Sequence, residues 1–218
     1  AFVAAYFQWL ALRDERRSAA EDAVESRFFR LVESLQNAVN VTRVGEYEGK
    51  QAMRKVLETA IKLGKQKRTT LGKGTAVSDE KRRADINRWF MDFYHGEYDE
   101  GGNEKRYRAG DLLGHLFRLT YHIVKYVDEA EAADEDDKLF YIRILRAHLS
   151  NPELVLLMYN ALAEYGYPTM YKLIEQHDLL QNIDPLSLPD MDDAVLFPKL
   201  REKVAAYKAK LAQQQPTS

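Results

Sequence analysis

Ser150-Asn151-Pro152-Glu153-Leu154-Val155-Leu156-Leu157-Met158-Tyr159-Asn160-Ala161-Leu162 opens as a helix start and continues as an almost unbroken apolar run. Ser150 can accept from the Glu153 amide while the Glu153 carboxylate returns to the Ser150 amide, and Pro152 stands where its missing N–H costs little. Leu154, Val155, Leu157, Met158 and Leu162 make the helix nearly apolar all round, so it belongs at the centre of a domain. Gly166 is expected to end it. Tyr159 and Asn160 are the polar interruptions. A buried Asn must find partners for its amide, which an arginine such as Arg146 or an acid such as Glu175 would supply. Arg146, Ser150, Glu153, Tyr159, Asn160 and Glu175 therefore form a candidate polar network, structural first and a binding site second.

The flanking segments read as further helices. Phe140, Tyr141, Ile144 and Leu145 belong to a short one that ends near Leu149. Before it, a helix over residues 109–131 places Leu112, Leu116, Leu119, Ile123 and Val127 on one side and runs into residues 128–137, of which seven are acidic and read as a solvated connection. Ser78 caps a helix that ends at His95, with Ile86, Trp89, Phe90 and Phe93 inward. Residues 51–63 bury Met53, Val56, Leu57, Ala60 and Ile61. Residues 1–41 hold no Gly or Pro, and Val24, Phe28, Leu31, Leu35 and Val39 recur at helical steps, which predicts one long helix. After the central helix come a short helix over 171–177, an extended stretch over 184–198 with three prolines, and a basic amphipathic helix over 199–213. No strand pair with hairpin turn chemistry stands out, so the expected fold is all-α without a β-sheet. We divide it into an N-terminal helical arm (1–24), a helical domain (25–184) and a proline-containing segment with a basic helix (185–218).

Composition bounds the chemistry. The chain has 218 residues, 45% hydrophobic and 30% charged, enough for one sizeable core. A net charge of -2 gives no global cationic field toward nucleic acid or anionic lipid, so any such binding must be local. The absence of cysteine removes disulfides, thiolate metal sites and cysteine nucleophiles together. No apolar run reaches the roughly 18 residues a membrane span needs. Residues 2–12 are nonetheless apolar and aromatic except for Gln8, and Arg13, Arg16 and Arg17 follow, as at the cytoplasmic end of a membrane helix. The alternative is an amphipathic helix docked on its own domain.

Several blocks of this sequence are familiar in their order. Arg27-Phe28-Phe29-Arg30-Leu31 comes first, then residues 115–129, beginning His115-Leu116-Phe117-Arg118, then Leu145-Arg146-Ala147-His148-Leu149-Ser150-Asn151-Pro152-Glu153 and the run to Leu162, and last Tyr171-Lys172-Leu173-Ile174-Glu175 with Leu179-Leu180. Over residues 25–184 the chain resembles the phage abortive-infection (AbiC-like) family. The resemblance implies a role in limiting phage infection, often with membrane-spanning helices ahead of the domain. If residues 2–12 are the end of such a helix, the arginines after them place the domain on the cytoplasmic side of an inner membrane. The resemblance carries no established catalytic mechanism.

Catalysis has one candidate motif. Arg143 and His148 have the spacing with which helical HEPN-type ribonucleases bring a cation and an imidazole to a phosphate, as electrostatic stabiliser and as acid or base. Chance supplies about one such pair in a chain of this composition. That count allows three separations, over which the chain has three pairs: Arg143–His148, five residues apart, and Arg88–His95 and Arg108–His115, seven apart. His148 also ends its helix, where a protonated imidazole meets the helix dipole. Asp111, His115 and His122 share a helical face that could hold a divalent metal, but the same face is the polar flank beside Arg118. Residues 62–83, with Lys62, Lys65, Lys67, Arg68 and Lys73 among glycines and threonines, read as a basic loop, either solvated or a nucleic-acid contact. Leu71-Gly72-Lys73-Gly74-Thr75 is too short for a phosphate-binding loop, and no cofactor is expected.

These observations favour a non-enzymatic cytoplasmic defence module that senses or binds a phage or host component, protein or nucleic acid, and acts in a membrane-attached protein. The alternatives are a metal-independent helical ribonuclease and a nucleic-acid-binding module using the basic loop. The first helix is expected to project, because its charged, alanine-rich middle offers little surface to bury, and to pair with a second copy in a homodimer.

Overall fold

The computed structural model describes the backbone of residues 2–67, 77–99 and 106–214, and the side chains of 19–67, 77–98 and 106–213. At its centre lies α6 (Asn151–Leu162), buried at every residue from Glu153 to Leu162. Half of the expected cap forms: the Ser150 amide donates to the Glu153 carboxylate at 2.5 Å and Pro152 sits in the first turn, but the buried Ser150 hydroxyl has no hydrogen-bond partner among the described residues. Around it pack α2 (Gly49–Lys67), α3 (Asp79–His95), α4 (Ala109–Asp128) and α7 (Thr169–Gln176), while α5 (Glu135–His148) lies against α4.

The long first helix, α1 (Phe2–Asn40), packs chiefly on α4. Phe28, Val32, Leu35 and Val39 are buried at steps of four, three and four, with Val24 and Leu31 half-buried beside them. Burying each such side chain is worth about 1.5–3 kcal/mol, which fixes this half of the helix. Ala19, Ala20, Asp22 and Ala23, ahead of that stripe, are exposed. α4 buries a broader face than a single stripe, because Leu116, Ile123 and Val127 are joined by Leu113, Phe117, Thr120 and Val124. It packs on α1 and on the helices around α6 at once, so both flanks of its apolar face are covered. Between α3 and α6, Trp89 meets Tyr159 edge to face at 4.9 Å, with Phe90 and Phe93 alongside.

The expectation of an all-α fold without β-sheet is overturned by two small antiparallel sheets. β1 (Arg43–Val44) pairs with β2 (Tyr47–Glu48), and β3 (Glu97–Asp99) with β4 (Arg106–Arg108). In the first, Gly45 takes φ +59 at the first of two turn positions, which a Gly-X hairpin turn requires. In the second, the triplets Glu97-Tyr98-Asp99 and Arg106-Tyr107-Arg108 match acid to base and Tyr to Tyr across the ladder. Cross-strand pairing of this kind stabilises strands too short to show a period of two.

Other boundaries also shift. The acidic run does not stay a connection: Asp134 caps α5 by accepting from the Asp137 amide at 2.9 Å, and Glu135, Asp136 and Asp137 fill the first turn, where the helix dipole favours them. The stretch expected to be extended holds two 3-10 turns, at Pro185–Ser187 and Met191–Leu196. Asp184 and Asp190 nucleate them by accepting from the Leu186 and Asp192 amides. α8 (Pro198–Gln214) follows and buries Leu200 and Val204.

Candidate functional site

Glycines let the ends of α3 and α4 meet. A Cβ on Gly110 would lie 2.8 Å from a Tyr94 ring carbon and 2.9 Å from the Tyr94 carbonyl, so α3 reaches this point of α4 only because the side chain is missing. One turn on, a Cβ on Gly114 would sit 3.4 Å from both terminal nitrogens of Arg118 and from the Tyr94 hydroxyl, so guanidinium and phenol converge over this glycine. Gly166 does the same for the chain leaving α6, where a Cβ would be 2.3 Å from the Asn160 carbonyl oxygen. The chain therefore folds back over the end of α6 toward α7. Between these close approaches a cavity of about 520 Å³ remains.

Its walls are aromatic and carry few polar groups. Tyr94 stacks on Phe117 at 24°, and Tyr165 leans on Tyr94 at 5.5 Å. Tyr165 is 61% exposed, and its hydroxyl lies 3.2 Å from His95 Nε2. Tyr121 and Met170 complete the apolar lining, with Thr169 at the start of α7. Burial pushes the Tyr94 phenol above its ordinary range, against the pull of the nearby Arg118 cation, so the hydroxyl stays protonated at neutral pH. Arg118 makes no ion pair or hydrogen bond with any described residue. Asn160 lines the cavity at 6% exposure, and its amide has no hydrogen-bond partner among the described residues.

The residues proposed from sequence as one polar network fall into separate places. Arg146 is buried and donates to the Asp178 carbonyl at 3.1 Å and to the Gln181 side chain, tying α5 to the turn after α7. Desolvation draws its pKa down from the ordinary arginine range. Glu153 serves the start of α6, and Tyr159 donates to the fully buried Asp193 at 2.7 Å. Burial raises the Glu175 carboxyl, and Lys199 donates to the carbonyl of the same residue at 2.7 Å. Arg143 lines a second, polar groove with Arg146, His177 and Gln181. His148 does not line it, and its Nδ1 lies 2.8 Å from the Ile144 carbonyl. Asp111, His115 and His122 are exposed along α4, and no group of three metal-binding side chains occurs among the described residues.

Of the basic loop, Lys62, Lys65 and Lys67 belong to the end of α2, which runs past its expected limit, and Lys67 pairs with Asp92. Arg68 and Lys73 lie outside the described residues. Arg82 and Arg83 are in α3, the first beside Asp193 and the second 4.2 Å over the Tyr167 ring.

The comparison with protein families falls on the region that builds the cavity. Residues 108–187 match the family described as "Putative phage abortive infection protein". The matched segment holds every residue lining the cavity except Tyr94. It also spans the last three of the four sequence blocks that resemble the family, whereas Arg27-Phe28-Phe29-Arg30-Leu31 lies outside it. No curated protein and no solved structure matches the chain. The family name supports a part in anti-phage defence in general.

Sequence reasoning flagged Asn160 as a polar residue on an apolar helix but passed over Tyr94, Phe117, Tyr165 and Arg118 as site residues. The signal available was glycine spacing. Gly110 and Gly114, one turn apart near the start of a helix, mark a close approach by another element.

Proposed function

We propose that this chain is the recognition module of an abortive-infection protein, capturing a phage- or host-derived trigger in the cavity between α3, α4 and α6. One observation carries the proposal: the segment that matches the abortive-infection family is the segment that walls the cavity. The lining is suited to recognition, since stacking faces, a guanidinium and a primary amide select a ligand by shape and hydrogen bonding. In this proposal the full-length protein is attached to the cytoplasmic face of the membrane and acts as a homodimer paired along α1. None of the described helices is long and apolar enough to cross a membrane.

Phage challenge of cells expressing the full-length protein tests it. Thr169 is exposed and lines the cavity, so Thr169→Trp fills the space without disturbing the core. The wild type should lower plaque counts, and the variant, at equal protein level, should restore them. Full protection by the variant would refute recognition through this cavity.

A further inference from the structure

Two polar groups of the cavity, the Asn160 amide and the Arg118 guanidinium, have no partner among the described residues, and an exposed ring stands beside them. Asn160 is more than nine-tenths buried, yet its amide finds no partner among the described residues. Its amide atoms are not sealed in the core but open onto the cavity, where water or a ligand completes their hydrogen bonds. A primary amide presents a donor and an acceptor side by side, the complement of the edge of a nucleobase. Arg118 brings a planar cation with no carboxylate against it, and no Asp or Glu lines the cavity. Such a guanidinium suits a phosphate, which it can engage through two parallel N–H donors. Tyr165, 61% exposed, offers an aromatic face at the rim, of the kind on which bases stack.

We propose that the cavity binds a nucleoside phosphate, with Asn160 meeting the base edge, Tyr165 stacking the base and Arg118 holding the phosphate. The proposal rests on the cavity being the recognition site. A volume of about 520 Å³ falls inside the range of small-molecule sites, roughly 300–1,000 Å³. A purely apolar ligand would leave Asn160 unanswered, and a cationic ligand would meet Arg118 with no carboxylate to offset it. A nucleic-acid polymer requires several phosphate contacts along a basic track. Arg118 is the one cation lining the cavity among the described residues, and the chain carries a net charge of -2. A free nucleotide fits these conditions and a strand does not.

Isothermal titration calorimetry of the whole chain tests this with four nucleoside monophosphates, AMP, GMP, CMP and UMP, beside the matching nucleosides and inorganic phosphate. At least one monophosphate should bind saturably and more tightly than its nucleoside or phosphate alone. Arg118→Gln should weaken the monophosphate about tenfold, or about 1.4 kcal/mol, and leave the nucleoside within about twofold. Tyr165→Ala should weaken both, because stacking does not depend on the phosphate. Both side chains are exposed, and an unchanged thermal melt confirms that the fold is kept.

The proposal fails if no monophosphate binds at about 1 mM. It also fails if phosphate alone binds as tightly as the monophosphate, or if neither variant changes affinity. If no monophosphate binds while Thr169→Trp still abolishes phage protection, the cavity remains the recognition site and the nucleoside phosphate is the wrong ligand class.

Discussion

Asp193 has 0% exposure and is the point at which the irregular segment after α7 is fastened to the centre of the molecule. Its carboxylate accepts from the Tyr159 hydroxyl at 2.7 Å and from Arg82 at 3.4 Å, joining that segment to α6 and α3. Asp193→Ala would leave the phenol and the guanidinium facing each other across a hole. Removing one partner of a buried ion pair costs about 3–5 kcal/mol. Tyr159→Phe removes less, since the Asp193–Arg82 pair and the Trp89–Tyr159 ring contact survive, and losing one hydrogen bond to a charged group costs about 1.5–3 kcal/mol. For a chain of this size each kcal/mol moves Tm by about 2–4 °C, so we expect falls of about 6–20 °C for Asp193→Ala and about 3–12 °C for Tyr159→Phe. Urea unfolding followed by circular dichroism gives the free energies directly. In an Asp193→Ala background Tyr159→Phe should cost almost nothing further, because the two changes break one contact. A loss below about 1 kcal/mol for Asp193→Ala, or a larger loss for Tyr159→Phe than for Asp193→Ala, would refute this account of the fastening.

Burial raises the Tyr98 phenol from the ordinary 10.0 to about 12. Between those values the unfolded chain loses the proton and the folded chain keeps it, so stability should fall as pH rises through that window. Tyr98→Phe should flatten the fall, measured as urea midpoints across the alkaline range, and an unchanged slope would contradict the shift. Light scattering should give the whole chain twice its monomer mass of 25.2 kDa, and a truncated chain beginning at Glu21 the mass of a monomer. If both are monomeric at micromolar concentration, α1 is not a dimerisation arm. Wild type, His148→Ala and Arg143→Ala should leave total RNA equally intact. RNA decay by the wild type that either substitution abolishes would instead support the helical ribonuclease.

Helices long enough to repeat a pattern were legible before the structure. Ser150, Pro152 and Glu153 announced the start of α6, and Val24 to Val39 announced the docked half of α1. The two sheets were not legible by the same means, because strands of two or three residues cannot display a period of two. Their signals were of another kind, a glycine at the first position of a two-residue turn and oppositely charged triplets that pair only once the chain has folded back. The cavity is a harder case, since its walls come from Tyr94, from residues 114–121 and from residues 160–170. Asn160 was legible as a polar residue that needs a partner, but one sequence cannot say which neighbour folding brings to it. The two partners suggested from the sequence are otherwise engaged: Arg146 binds the turn after α7, and Glu175 lies beside Lys199. α6 thus turns the Asn160 amide to a space walled by Tyr94, Phe117 and Arg118, and no described side chain hydrogen-bonds it. An unmatched amide on an apolar helix is therefore most informative when structure shows what it faces. A packed core would demand an internal partner, whereas an open cavity leaves the amide to water or to a ligand that displaces it.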